Sequence, residues 1–330
     1  MDARELHARR RAKEQERLRY RRRAALIAFA ALVVIVGVAA AGLPGGGRKT
    51  AGRAPARSHV ATGRDAARPP SHGRAKAAEP SSVAPAGATQ RRVDAVPILM
   101  YHVIAPPPPG APFPGLYVAP AQFRAQMRAL ERAGWHGVTM DQVLAHWRRG
   151  TPLGPGRPIV LTFDNGYRSQ YTKAMPVLRA LGWAGVENIQ LTGLPPSQGG
   201  LTRRQVRGLL DAGWELDTQG LSHADLGRLG AAARHAEIAD ARRILRQRYG
   251  VPVNWFCYPS GQYDATVIAA VRRAGYVGST TVVPGWARRT GNTYRLPRLR
   301  VLGGTSGPAL LGLIARARAQ PPPPPAYRSS

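Results

Sequence analysis

The sequence predicts an α/β domain built on one mostly parallel sheet, and three observations predict it. From Val93 onward, short apolar runs of strand length alternate with amphipathic segments of helix length. The stretches between successive apolar runs are long enough for parallel crossovers. The polar clusters fall just after the apolar runs, where parallel α/β proteins gather their sites. Alternation alone leaves barrel and open sheet both open.

VPILMY at 96–101 is a continuous apolar run and predicts the first strand. The Pro-rich stretch 105–115 then reads as a surface loop. A helix over 120–133 follows from Phe123, Met127 and Leu130, which fall on one face. PIVLTF at 158–163 predicts a second buried strand that ends at Asp164, Asn165 and Gly166, and a helix over 168–181 continues from it. Further strands are expected at 187–191, 214–218, 255–258 and 276–281, separated by helices near 202–212, 232–248 and 263–274. The chain contains no internal repeat.

The 330 residues are uneven along their length. Residues 1–23 are dominated by basic side chains, among them Arg9, Arg10, Arg11, Arg21, Arg22 and Arg23. Residues 24–43, AALIAFAALVVIVGVAAAGL, carry no charge. At about 1.5 Å per residue such a run can cross a hydrocarbon core of roughly 30 Å. The basic flank keeps the N-terminus in the cytoplasm and sends the rest outward. A single-pass signal anchor is expected, with a cleaved signal peptide ending near Ala39, Ala40 and Ala41 as the alternative. Residues 44–92, rich in Gly, Pro, Ala, Ser and Arg, read as a disordered linker because they hold almost no large apolar side chain to bury. The main domain is expected over 93–318, and a Pro-rich tail over 319–330 is expected to be extended and unstructured.

The net charge of +30 comes from 44 Arg and 4 Lys, which together with abundant Ala, Gly and Pro is what GC-rich coding gives. Residues 93–330 keep 28 Lys and Arg against 12 Asp and Glu. An exported surface of that charge is drawn to anionic wall polymers or phospholipid head groups. No nucleic-acid motif accompanies it, so nucleic acid is not an expected partner. Cys257 is the lone cysteine, which excludes an intramolecular disulfide and suits a small core residue.

Two segments carry the chemistry, LTFDNGY at 161–167 and GWELDTQGLSHADL at 213–226. Taken alone, Asp164, Asn165 and Gly166 also make a common turn, and His223 an ordinary loop residue. His102 fits a core histidine as well as a site residue, and Trp255, Tyr258 and Trp286 fit core or loop aromatics before sugar platforms.

In order along the chain, several motifs carry a resemblance. Met100-Tyr101-His102 resembles the M-Y-H that opens one branch of the polysaccharide deacetylases of carbohydrate esterase family four, the branch that includes exopolysaccharide deacetylases. Thr162-Phe163-Asp164-Asn165-Gly166 resembles the family's T-F-D-D-G, and Thr218 to His223 its S-H-T-x-x-H. Phe256 to Gly261 resembles F-x-Y-P-x-G, and Leu296-Pro297-Arg298 resembles L-P-R.

The resemblance, which covers 93 to about 315, implies a deformed (β/α) barrel that removes acetyl groups from N-acetylated sugars. It implies Asp164 as general base, with Arg298, His102 and the Tyr258 loop in the catalytic set. It also implies a divalent metal, zinc in the family, at the positions here occupied by Asn165, Gln219 and His223. Two of those three positions hold neutral amides, which are poor zinc ligands. Asp217, on the same side of its strand as Gln219, is expected as a substitute carboxylate, with Asp225 as another. Amide carbonyls could also serve a harder cation such as Mg²⁺ or Ca²⁺. The late L-x-H motif that supplies the family's acid is missing from LLGLIARARA. Two readings follow: a membrane-anchored N-deacetylase of cell-wall or exopolysaccharide sugars with a degenerate metal site, or a non-catalytic glycan-binding module of the same fold.

Overall fold

The computed structural model describes residues 93–328, apart from 193, 195, 197 and 198. The expected basic segment, membrane span and linker at 1–92 lie outside the described residues. Among the described residues no helix is long and apolar enough to cross a membrane.

Among the described residues nine strands form one sheet. β1 (Ala95–Tyr101) and β3 (Arg157–Asn165) pair in parallel at its centre. From β3 the sheet runs through β4 (Val186–Ile189), β5 (Glu215–Thr218), β6 (Trp255–Cys257) and β7 (Gly278–Thr280), all parallel. β2 (Trp135–Val138) pairs with the first half of β3. On the other side of β1 lie β8 (Trp286–Arg288), which is antiparallel, and β9 (Leu299–Arg300). A bridge between Thr280 and Leu296 joins the last parallel strand to the segment leading into β9. The ladder thus curls back toward its start, and the α/β expectation resolves into a parallel, barrel-like sheet.

Alternation along β3 explains the two faces of the sheet. Ile159, Leu161 and Phe163 join the core under the helices, whereas Val160 joins an inner cluster with Val96, Ile98, Val186, Trp255 and Ala287. Thr162 and Asp164 therefore point inward, toward the barrel axis. The outer core is aromatic at its centre, with the Phe163 ring 5.6 Å from Tyr101 and 4.9 Å from Trp214.

The covering helices begin and end where their sequences dictate. α1 (Pro120–Arg132) starts on a proline, whose missing N–H costs nothing in the first turn, and buries Phe123, Met127 and Leu130. α2 (Met140–Arg149) opens with a reciprocal Thr139–Gln142 capping box and closes on Gly150 in the left-handed region. A π-helical turn, Gln170–Ala174, runs into α3 (Met175–Ala180). α4 (Arg203–Asp211) repeats the capping box with Thr202 and Gln205. A second π turn, Ala236–Asp240, joins α5 (Ala231–His235) to α6 (Ala241–Tyr249). α7 (Ala265–Arg273) is capped by Asp264 and α8 (Gly307–Ala317) by Ser306.

The Pro-rich tail departs from expectation. It has no helix or strand, yet Tyr327 exchanges backbone hydrogen bonds with Tyr263 at 2.9 Å in both directions. The Tyr263 hydroxyl donates to the Pro324 carbonyl at 2.7 Å, and Arg295 donates to that of Pro323. Proline carbonyls remain good acceptors, so a tail without N–H groups can still be pinned.

Candidate functional site

The site lies at the carboxyl ends of β1, β3, β4 and β5 and is built around Asp164. Inward-facing and buried, its carboxylate needs partners, and Arg298 supplies them by a two-pronged pair. Arg298 Nη1 donates to Oδ1 at 2.7 Å and Nη2 to Oδ2 at 2.8 Å. Asn188, its register partner on β4, donates to Oδ1 at 2.9 Å. Cys257 Sγ stands 3.6 Å from Oδ2 and also accepts from Arg298. Burial alone pushes the Asp164 carboxyl up, but the Arg298 guanidinium overcomes it and holds the group down at about 2. Arg298 is itself buried, further anchored by the Thr281 carbonyl and the Thr162 hydroxyl.

His102 enters from the end of β1 with Nε2 at 3.9 Å from Asp164 Oδ2. Burial pushes the imidazole down to about 4 against the pull of Asp164, so it is neutral at pH 7. Its Nδ1 is buried and meets no partner. His102 thus stands beside Asp164 at the end of β1. His223 lies near enough for Asp164 and His102 to feel its charge, and burial lowers it too.

The two amide positions meet each other. At the end of β3, Asn165 has φ +78° and Gly166 φ +89°, a left-handed turn that Asn and Gly tolerate. A Cβ on Gly166 would stand 2.8 Å from Ile189, so the turn packs against β4. The turn aims the Asn165 N–H at Gln219 Oε1, 3.1 Å away. Asn165 Nδ2 donates to Gln190 Oε1 at 2.9 Å, and Gln190 Nε2 to the Thr192 carbonyl at 2.8 Å. A chain of neutral amides thus links the ends of β3, β4 and β5. Among the described residues no group of three His, Cys, Asp or Glu is arranged to hold a metal ion.

Glu237 shapes the loop that carries Gln219 and His223. It accepts from the Leu221 and Ser222 N–H groups at 2.9 Å each, and from the Ser222 hydroxyl. Held there, Gly220 takes φ +92° and His223 φ +64°. Gln170 performs a similar task nearby, donating from Nε2 to the carbonyls of His102 and Asp164.

Other expected residues lie apart from this cluster. Asp217 does not approach His223, because its Oδ1 accepts from the N–H groups of Asn254 at 3.0 Å and Trp255 at 2.8 Å, at the start of β6. It neighbours Glu215, whose Oε2 accepts from the Asp141 N–H at 2.8 Å. Asp225 caps the turn at Leu226–Arg228 and pairs with Arg228. The Tyr258 ring is buried with its hydroxyl on the Tyr294 carbonyl, and its backbone N–H donates to the Thr280 carbonyl at 3.3 Å. Trp255 and Trp286 are core residues whose indole N–H groups bond Asp141 and the Ile314 carbonyl.

Asn188, Gln190, Gln170 and Glu237 carry no motif and are not singled out by the sequence. The only available signal was polar residues at inward positions of an apolar strand, as in ENIQL.

Residues 153–279 match the family model of polysaccharide deacetylases. YxkH of Bacillus subtilis (strain 168), a protein assigned to the polysaccharide deacetylases, is 27% identical over 215 residues, 65% of this chain and 74% of that one. Poly-β-1,6-N-acetyl-D-glucosamine N-deacetylase of Escherichia coli (strain K12) is 39% identical over 69 residues, 21% of this chain and 10% of that one. The structure of the deacetylase PplD of Streptococcus pyogenes in complex with acetate superposes with a TM-score of 0.61 at 26% identity, covering 67% of this chain and 98% of that one. With Asp164 at the end of β3, the parallel strand order and these likenesses in agreement, residues 153–279 form a domain of the polysaccharide deacetylase type.

Proposed function

We propose that this protein recognises N-acetylated polysaccharide at the Asp164 site, outside the cytoplasm, and has lost the zinc chemistry of its relatives. One observation carries the reading: at two of the three ligand positions, the Gln219 side chain accepts from the Asn165 backbone N–H and the Asn165 side-chain amide donates to Gln190. The residues present do not fit zinc, which takes Cys, His, Asp or Glu. A metal would have to break the amide chain and would gain one imidazole, His223. Asp217, spent on the backbone of β6, offers no replacement. Without a metal to bring the pKa of water from about 15.7 to about 7, a carboxylate held at about 2 is too weak a base for amide hydrolysis.

The same groups suit an acetamido substituent. The amides of Asn165, Gln190 and Gln219 supply both donors and acceptors, matching an N–H and a carbonyl, and the neutral imidazoles add two more. The substrate class follows from the E. coli relative, whose name gives it a β-1,6-linked N-acetylglucosamine polymer. Membrane anchorage rests on the uncharged run 24–43 behind a basic segment, and anionic wall polymers are further partners by charge.

A second reading, a slow deacetylase, is favoured by the survival of Asp164, Arg298 and His102 as one cluster. The test uses the full chain in detergent with β-1,6-linked N-acetylglucosamine and chitin oligomers. Calorimetry should register binding, and acetate should stay at background with or without Zn²⁺, Mg²⁺ or Ca²⁺. Acetate release that disappears in Asp164→Ala would overturn the recognition reading in favour of the enzyme.

A further inference from the structure

The loops after β1 and β3 are knitted together next to Asp164. The Ile104 N–H donates to Ser169 Oγ at 3.0 Å, and Gln170 clamps the carbonyls of His102 and Asp164. Beside this seam opens a cavity of about 340 Å³, lined by Val103, Ile104, Tyr117, Tyr167, Arg168 and Lys173, among others. That size falls near the low end of roughly 300–1,000 Å³ for small-molecule clefts, enough for one sugar unit and its substituents. Tyr167 directly follows the Asn165-Gly166 turn, so the cavity continues the site outward along the face where the strands end.

Its lining is mixed in a specific way. Val103 and Ile104 are apolar, and two tyrosines offer rings with hydroxyls, which suits the C–H face and the hydroxyls of a pyranose. Arg168 and Lys173 are exposed cations, and no carboxylate lines the cavity. Neither cation has an acidic partner among the described residues. Arg168 donates to the Pro196 carbonyl, which fixes the guanidinium and leaves other N–H groups free. Two unneutralised cations at the mouth of an apolar and aromatic cleft call for an anion on the sugar that fills it.

We propose that the polysaccharide taken at the Asp164 site bears a carboxylate on a sugar unit neighbouring the N-acetylated one, seated between Arg168 and Lys173. This rests on the glycan-recognition reading and deepens it: the ligand is an acidic N-acetylated polysaccharide. The N-acetyl group sits at the amide chain, the adjoining ring lies against Tyr117 and Tyr167, and its carboxylate meets the two cations.

The experiment compares hyaluronan oligosaccharides, in which N-acetylglucosamine alternates with glucuronate, with chitin oligosaccharides of equal length. Both are titrated calorimetrically into the full chain in detergent at low and at physiological salt. Hyaluronan should bind about tenfold more tightly at low salt, and the margin should narrow as salt shortens the screening length to about 8 Å. Arg168→Ala with Lys173→Ala should erase the margin and leave chitin affinity unchanged. Arg148→Ala with Arg149→Ala, an equal loss of charge at the far end of α2, should preserve it. Chitin binding with no preference for hyaluronan, or a preference that survives the cavity variant, overturns the acidic-ligand proposal alone. Binding of neither glycan overturns this proposal, and if the β-1,6-linked oligomers also fail to bind, the recognition reading falls with it.

Discussion

At the scale of the residue, the pair of Asp164 and Arg298 decides what the site can be. Both are buried, and each satisfies the other's charge. Removing one partner of such a pair strands a charge, at a cost of about 3–5 kcal/mol. Arg298→Met should therefore lower unfolding free energy by about that amount, and adding Asp164→Asn should recover part of it. Chemical denaturation of the three variants measures this, and a loss below about 1 kcal/mol for Arg298→Met would mean the pair behaves like a surface bridge. The amide positions make a second prediction. Asn165→Asp with Gln219→His supplies a carboxylate and an imidazole beside His223, so stoichiometric zinc should appear after equilibrium dialysis and survive washing. Each single change should bind far less. Zinc that fails to bind the double variant would show that these positions do not converge as His223 requires.

At the scale of the element, the loop after β5 depends on Glu237, a residue of the π turn before α6. Its two oxygens accept three bonds there, and a glutamine in its place has one acceptor oxygen. Glu237→Gln should cost about 1.5–3 kcal/mol, raise hydrogen exchange across 219–223 and weaken glycan binding, because His223 loses its left-handed setting. Unchanged exchange in that loop would show that Glu237 is only a packing residue. Such a device is hard to read in advance, since Glu237 is 14 residues beyond His223 and belongs to no motif. β1 and β3 are legible because each carries a long, mostly apolar run, as strands buried on both faces do. β2, β8 and β9, at four, three and two residues, are too short to show a period, and each takes its form from the strand it pairs with. α2 is absent from the helices expected above, although Thr139 and Gln142 spell a capping box and Gly150 a stop. Asp217 marks the limit of pattern reading. Period gives the side of a strand a residue faces, and depth along the barrel axis comes only from the neighbouring strand's register.

At the scale of the whole molecule, the buried core stores protons, and stability should record it. Asp217, pushed up by burial to about 7, and Glu215, pushed up by burial and by Asp217, lie side by side and keep at least one proton between them. Glu187 is buried with neither oxygen partnered, and burial raises it well above the usual carboxylate range. In the unfolded chain these acids ionise near about 4. Their contribution is therefore complete below that pH and is lost as pH rises toward and past about 7. His102 and His223 act in the opposite sense. Burial lowers both, so their contribution is present above about 6.5 and is lost as pH falls below it. Asp164, held near 2, adds stability above about 3.9 that disappears only in strong acid. Between pH 5 and 6.5 the carboxyls and the histidines nearly offset each other, whereas from pH 6.5 to 8 the carboxyls act alone. The melting temperature should hold roughly level from pH 5 to 6.5 and fall from pH 6.5 to 8. Asp217→Asn, which mimics the protonated acid and keeps an acceptor for the β6 N–H groups, should flatten part of that fall. A melting temperature that rises toward pH 8 in the wild type, or an Asp217→Asn profile that parallels it, would mean the interior carboxyls are ionised in the folded barrel.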